Sequence, residues 1–150
     1  YTIEHSTTFK NNSGSAKALP TIYFNLGTAR PITEEMIGVN FLNVGHFDGE
    51  HAEFIPIKKL TGGKGFLGIG ASSPKDVIAE AARIEWSSVK NQFFASLLSS
   101  RAVAKNVFVY PVEAPSNALI QPGRLGISGS VGYKLGTLAA GESKSLDFQY

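Results

Sequence analysis

Turn-forming residues recur every few positions along this chain, so only short regular elements fit between them. The sequence contains 16 Gly and 7 Pro, together with many Ser, Thr and Asn. These residues favour turns because Gly tolerates positive φ, Pro presets φ, and small polar side chains bond the nearby backbone. Short segments between turns are typical of strands. The pattern therefore predicts an all-β protein, mainly an antiparallel β-sandwich, with one or two short helices.

Several segments have the alternation or the β-branched and aromatic content of strands. Residues 1–9 alternate apolar and polar side chains, and residues 106–110 are the richest in Val, Phe and Tyr. Further strands are predicted at residues 18–26, 40–44, 52–57, 124–135 and 143–150. Between the strands 40–44 and 52–57, residues 45–51 are predicted to form a polar loop.

One segment has the features of a helix start. Ser73 is a favourable N-cap, Pro74 suits the first helical position, and Asp76 places an acid in the first turn. Three alanines within residues 79–82 add helix propensity. The sequence therefore predicts a short helix over residues 74–82. Residues 86–94 are interpreted as either helical or an irregular turn into a strand.

Composition and charge exclude several classes of function. Hydrophobic residues make up 43% of the chain and charged residues 17%, as is typical of a folded domain. The net charge of +2 comes from scattered Lys and Arg, which argues against nucleic-acid binding. The absence of Cys excludes disulfides, thiolate metal sites and cysteine nucleophiles. A single domain over residues 1–150 is the simplest interpretation, because this length can bury one core.

Two segments suggest ligand sites, and neither has the features that such a site needs. Residues 63–68 match G-x-G-x-x-G, but the Gly- and Ser-rich residues that follow cannot begin a helix at the third Gly. His46, Asp48, Glu50 and His51 crowd one segment, yet their spacing matches no zinc arrangement. We interpret the first as a Gly-rich loop and the second as surface residues. No metal, nucleotide or other cofactor is expected.

The segment from Trp86 to Phe94 combines the lone Trp of the chain, the amide pair Asn91 and Gln92, and the double Phe of Phe93 and Phe94. It resembles the W…NQFF segment in the large extracytoplasmic domain of YidC-type membrane protein insertases. Residues 138–150 resemble the last strand of that domain, and residues 8–19 its pattern of strand, polar turn and strand. The resemblance covers most of the chain, and its most specific part is the block from Trp86 to Phe94.

The resemblance implies a fold, a location and a role. The fold would be a β-supersandwich like that of galactose mutarotases, and the location the periplasmic side of the bacterial inner membrane. The parent protein would insert and help fold inner-membrane proteins, with Sec translocon accessory components and membrane-protein clients as partners. No run of about 20 apolar residues and no signal segment is present, so we expect a soluble fragment whose membrane segments lie outside residues 1–150. Its role would be that of a non-catalytic scaffold or docking module.

Two other functions stay open at this point. A carbohydrate-binding or mutarotase-like module would need a histidine facing a carboxylate, and His51 with Glu113 or Glu142 are the available combinations. A structural or adhesion-type sandwich would bind no ligand. Burial of Trp86 distinguishes them, since an exposed ring in a polar cleft favours sugar binding and a buried ring favours the scaffold.

We expect the aromatic residues of the W…NQFF segment to belong to the core, because large aromatic side chains bury much apolar area. This prediction covers Phe93 and Phe94, and also Trp86. Asn91 and Gln92 would then bond backbone groups where the chain leaves regular structure.

Overall fold

A computed structural model describes residues 1–32, 39–62, 75–117 and 124–150. Strands account for 64% of the chain, the sheet is mostly antiparallel, and no helix of seven or more residues occurs in the described ranges. The all-β, sandwich-like prediction is therefore confirmed. None of the helical residues in these ranges forms a helix long and apolar enough to cross a membrane.

Ten strands and one 3-10 turn are the elements that lie wholly within the described residues, and Val39 and Asn40 are helical as well. The strands are β1 (Glu4–Lys10), β2 (Lys17–Ala18), β3 (Thr21–Ala29), β4 (Asn43–Phe47), β5 (Ala52–Pro56), β6 (Val77–Lys90), β7 (Ala95–Glu113), β8 (Leu125–Lys134), β9 (Thr137–Leu138) and β10 (Ser143–Gln149). A single 3-10 turn covers Ile57–Lys59.

Eight of the strands form one antiparallel sheet that folds back on itself. The order is β1-β10-β7-β6-β4-β5, and β8 pairs with both β7 and β3, while β2 and β9 form a separate pair. Strand β7 joins the two layers. Its Ser99 and Ser100 pair with β10, whereas Asn106 to Glu113 pair with β8. One layer therefore holds β3 and β8, and the other holds β1, β10, β4 and β5.

The core lies between these layers. The rings of Phe24 in β3 and Phe148 in β10 have centroids 4.1 Å apart, and Tyr133 in β8 packs edge-on against both. Burial raises the pKa of Tyr133 to about 12. At Gly129 in β8, an added Cβ would lie 3.0 Å from the side chain of Val44 in β4. This glycine therefore permits the close approach of the two layers.

Most predicted strands are present, with changes in their bounds. The predicted strand at residues 106–110 is part of β7, which is 19 residues long. Strand β4 begins at Asn43 and continues through His46 and Phe47. The predicted polar loop over residues 45–51 is therefore wrong in its first half, and only residues 48–51 connect β4 to β5.

The predicted helix over residues 74–82 is wrong for the residues that the structure describes. Val77 begins β6, and Val77 to Glu80 pair with Val109 to Asn106 of β7. Cross-strand pairing and burial against a neighbour override the modest helix propensity of the alanines. Ser73 and Pro74, which carried the capping signal, lie outside the described residues. The Gly-rich segment 63–68 lies outside them as well.

Candidate functional site

The segment Asn91 to Phe94 forms the turn between β6 and β7. The backbone N of Asn91 donates to the carbonyl of Phe94 at 2.9 Å. The Oδ1 atom of Asn91 accepts bonds from the backbone N–H groups of Phe93 and Phe94, each at 2.9 Å. Asn is well suited to this position because its short amide mimics a backbone turn. The open choice between a helix and a turn for residues 86–94 resolves as a strand that ends in a β-hairpin turn.

Asn91 also ties this turn to the other layer. Its Nδ2 donates to the carbonyl oxygen of Arg30, just after β3, at 3.2 Å. The prediction that Asn91 bonds local backbone groups is therefore confirmed. The side chain of Gln92 is exposed, and the described hydrogen bonds give it no comparable role.

Phe93 and Phe94 are exposed to solvent, so the prediction that they belong to the core is wrong. Their exposed fractions are 66% and 72%. The reason is topological, because the turn lies at the end of a hairpin, where the end of β3 borders Phe94 but, among the described residues, leaves both rings in solvent. Two adjacent exposed Phe side chains are unusual on a folded domain and often mark an interaction surface.

Trp86 lies on the solvent side of β6. Ser87 and Val89 alternate with it and are 0% and 3% exposed, so the side chains of Trp86 and Ser88 point away from the core. The Trp86 ring stacks on Phe47 of β4, with centroids 5.7 Å apart and planes at 15°. The prediction that Trp86 is a core residue is therefore wrong. The ring is half-buried because Phe47, and not the second layer, covers it.

More apolar side chains share this outer surface of the sheet. We define the aromatic face by Phe47, Phe54, Trp86 and Leu97. Phe54 is 48% exposed and Leu97 is 45% exposed. The Nζ atom of Lys90 lies 5.2 Å from the centroid of the Phe54 ring, within the range of a cation–π contact. The sequence pattern carried a signal for this face, since residues 86, 88 and 90 share one side of a strand.

Both chain ends lie at the same edge of the molecule as the turn. The backbone of Ile3 exchanges two hydrogen bonds with that of Tyr150, at 2.9 and 2.8 Å. Phe148 is opposite Ser100 and Gln149 opposite Ser99, so β10 runs toward the turn between β6 and β7. An open groove of about 450 Å³ lies here, lined by residues that include Tyr1, Ile3, Ala95, Leu97 and Tyr150.

The histidine and acidic residues between positions 46 and 51 do not lie together, because His46 belongs to strand β4 and the others lie in the turn that follows it. His46 is 3% exposed, so its predicted surface position is wrong. The alternation of β4 turns it inward, where its Nε2 lies 3.8 Å from a carboxylate oxygen of Glu53. Asp48 instead accepts bonds from the backbone N–H groups of Glu50 and His51, at 2.8 and 2.7 Å. These bonds lower the pKa of Asp48.

The acidic and histidine residues do not form a cluster suited to a metal. Across the described ranges, no group of three or more His, Asp or Glu side chains could hold a metal ion. His51 lies in the β4–β5 turn with Asp48, Glu113 ends β7, and Glu142 accepts a bond from the backbone N of Ala139 at 2.6 Å. The residues nominated for a mutarotase-like pair are therefore each held in a separate element.

A polar groove that sequence reasoning missed crosses β1, β10 and β7. Its volume is about 610 Å³, and its charged or amide lining residues are Glu4, His5, Arg101, Asp147 and Gln149. The pairing of β1 with β10 brings residues from the two chain ends together. Local sequence patterns do not reveal such a pairing. Trp86 does not line this groove.

Comparison of the chain with protein-family models, with curated proteins and with solved structures finds no match. The structure itself defines an all-β, sandwich-like protein with an exposed double-Phe turn beside its chain ends.

Proposed function

We propose that this chain is the large extracytoplasmic domain of a YidC-type membrane protein insertase and acts there as a non-catalytic scaffold. The parent protein would insert and help fold inner-membrane proteins, and the domain would lie on the periplasmic side. The resemblance of the block from Trp86 to Phe94 motivates this proposal. The observed sandwich-like fold agrees with what the resemblance implies.

The position of the chain ends carries the proposal furthest. A domain inserted between two membrane segments needs its entry and exit close together, at the edge that faces the bilayer. Ile3 and Tyr150 are hydrogen-bonded to each other, so these two residues lie together at one edge, as the proposal requires. Strand β10 lies between β1 and β7, so both of its edges are paired and its position in the sheet is fixed.

The scaffold offers exposed strand edges to partners. In the described part of the chain, β1, β3 and β5 each have a paired neighbour on one side only. The free edge of such a strand can accept an extended segment through backbone hydrogen bonds. We propose Sec translocon accessory components and membrane-protein clients as the partners of this domain.

Complementation of an insertase-depleted strain tests the proposal. The complete gene that encodes these residues should restore insertion of a test inner-membrane protein, measured by protease accessibility. The double change Leu146→Asp with Phe148→Asp should abolish this activity, because both side chains are 4% exposed and lie in the core. The matched change Glu50→Ala with His51→Ala alters only an exposed turn and should retain most activity.

Two results would contradict this assignment. Failure of the unaltered gene to restore insertion would remove the proposed function. A silent double change in β10 together with loss of activity from the turn change would identify the 48–51 turn as the working site. Immunoblotting of each variant separates a loss of protein from a loss of activity.

A sugar-binding module is the second candidate, and the Trp86–Phe47 stack on the solvent side of the sheet is the observation in its favour. Trp86 is the only Trp of the chain, so its fluorescence reports on this stack alone. We expect millimolar galactose or oligosaccharide to leave the emission unchanged, because Phe47 already covers one ring face and the polar groove does not include Trp86. A saturable shift in emission that Phe47→Ala abolishes would favour the sugar-binding function instead.

A further inference from the structure

We propose that the turn at residues 91–94 docks on an anionic bilayer surface, with the rings of Phe93 and Phe94 at the boundary between headgroups and acyl chains. The inference rests on the proposed function in one respect, because flanking membrane segments would hold this edge close to the bilayer. The exposed turn would then contact lipid and would not insert into a groove of a partner protein.

The first support is the exposure of apolar side chains at this edge. Phe93 and Phe94 are 66% and 72% exposed, and Ile3 is 63% exposed. The bonds that Asn91 accepts from the backbone of both Phe residues fix the turn, so the rings are held outward from the sheet. Apolar side chains such as Phe, when they are presented on a surface with basic neighbours, can bury at the boundary between headgroups and acyl chains without a deep insertion.

The second support is the charge around the turn. No Asp or Glu occurs between Glu85 and Glu113 in the sequence, and Lys90 is the basic residue of that stretch that adjoins the turn. Lys90 directly precedes the turn, and the exposed Arg30 is joined to it through the bond from Asn91. Basic residues beside an apolar tip complement anionic headgroups.

The third support is the distance between the turn and the acidic residue Glu4. Gln149 is opposite Ser99, and Phe94 lies just before β7, about five residues ahead of Ser99 in the sequence, which is roughly 17 Å at the usual rise of a strand. Glu4, the acidic residue nearest the chain start, is opposite Gln149 and is set back by the same distance. The two rings therefore lie well beyond Glu4, at an edge where Tyr1 and Ile3 line a groove together with Ala95 and Leu97.

Vesicle flotation tests this proposal on the 150-residue chain. Vesicles of phosphatidylethanolamine and phosphatidylglycerol serve as the anionic surface, and phosphatidylcholine vesicles serve as the neutral one. We expect binding to the anionic vesicles that weakens with salt, since the cations contribute to it. The change Phe93→Ser with Phe94→Ser should reduce the bound fraction about tenfold or more, because the interfacial apolar area is removed.

The matched control is Phe41→Ser with Phe54→Ser. These residues are 44% and 48% exposed, so the control also removes two exposed Phe side chains, but from other parts of the surface. It should bind vesicles as the parent does. A second readout uses Phe94→Trp combined with Trp86→Phe, so that the new Trp is the only one; its emission should shift to the blue on vesicle addition and be quenched by brominated lipid.

Three outcomes would overturn the inference: no vesicle binding by the parent, equal binding by the turn variant, or equal loss in the control. The complementation assay keeps the two proposals separate. In one outcome, the turn variant fails to support insertion and the unaltered chain does not bind vesicles. The turn then contacts a protein, so the lipid proposal is wrong, although the insertase function stands. If the parent gene fails to complement but its turn binds vesicles, the insertase proposal fails alone.

Discussion

Replacing Phe148 by Ala should lower the free energy of unfolding by about 3–5 kcal/mol, the usual cost of deleting a buried aromatic side chain. Phe148 is 4% exposed and contacts Phe24 of the opposite layer, with ring centroids 4.1 Å apart. Its removal leaves a cavity where the two layers meet. Urea denaturation, followed by the fluorescence of Trp86, measures the loss.

The matched control is Phe94→Ala. Phe94 is 72% exposed, so the same change of side chain should cost less than about 1 kcal/mol. This small expected cost differs from what the sequence suggests, because the sequence-based prediction placed Phe94 in the core. Equal losses for the two variants would show that the turn is packed in solution, and the description of the edge as an exposed surface would then be wrong.

Replacing Asn11 by Ala should also destabilise the protein strongly, by about 2–3 kcal/mol, because it leaves buried carbonyl groups without a donor. Asn11 is 7% exposed, and its Nδ2 donates to the carbonyl oxygens of Ser15, Leu138 and Ala139 at 2.8 to 3.0 Å. Its Oδ1 accepts bonds from the backbone N and the hydroxyl of Ser13. Thermal unfolding followed by circular dichroism gives the shift in Tm.

The neighbouring Asn12 provides the comparison for that experiment. Asn12 is exposed, so Asn12→Ala should change Tm little. Loss of stability in both variants would indicate a general requirement for polar residues in this turn. A change confined to Asn11 supports the specific role of its amide in joining the first turn to the end of β9.

Local pattern was enough to predict the class of fold and most strands. In β10, Leu146 and Phe148 are 4% exposed while Asp147 between them is exposed, as period-two alternation requires. The same rule applied to residues 86–90 would have placed Trp86 and Val89 on different faces of one strand. The ambiguity between helix and strand in that segment prevented its use.

The failures have one physical origin, which is that partners distant in the sequence decide local outcomes. The predicted helix became β6 because β7 was available to pair with Val77 to Glu80. Phe93 and Phe94 were assigned to the core from their hydrophobicity, yet exposure depends on whether a second layer extends over the hairpin turn. His46 was placed on the surface because its polar neighbours suggested a loop, whereas pairing with β6 extended the strand.

The central position of β10 has a consequence for synthesis of the chain. Strand β1 pairs with β10, and β10 alone connects it to β7. Strand β1 therefore gains its partner in the sheet only after β10 has been made. Closing such a long loop is slow, and an unpaired strand edge is prone to aggregation in the meantime. The pairing of β1 is completed only after residue 149 has been synthesised, so its edge stays open while the residues between β1 and β10 are made.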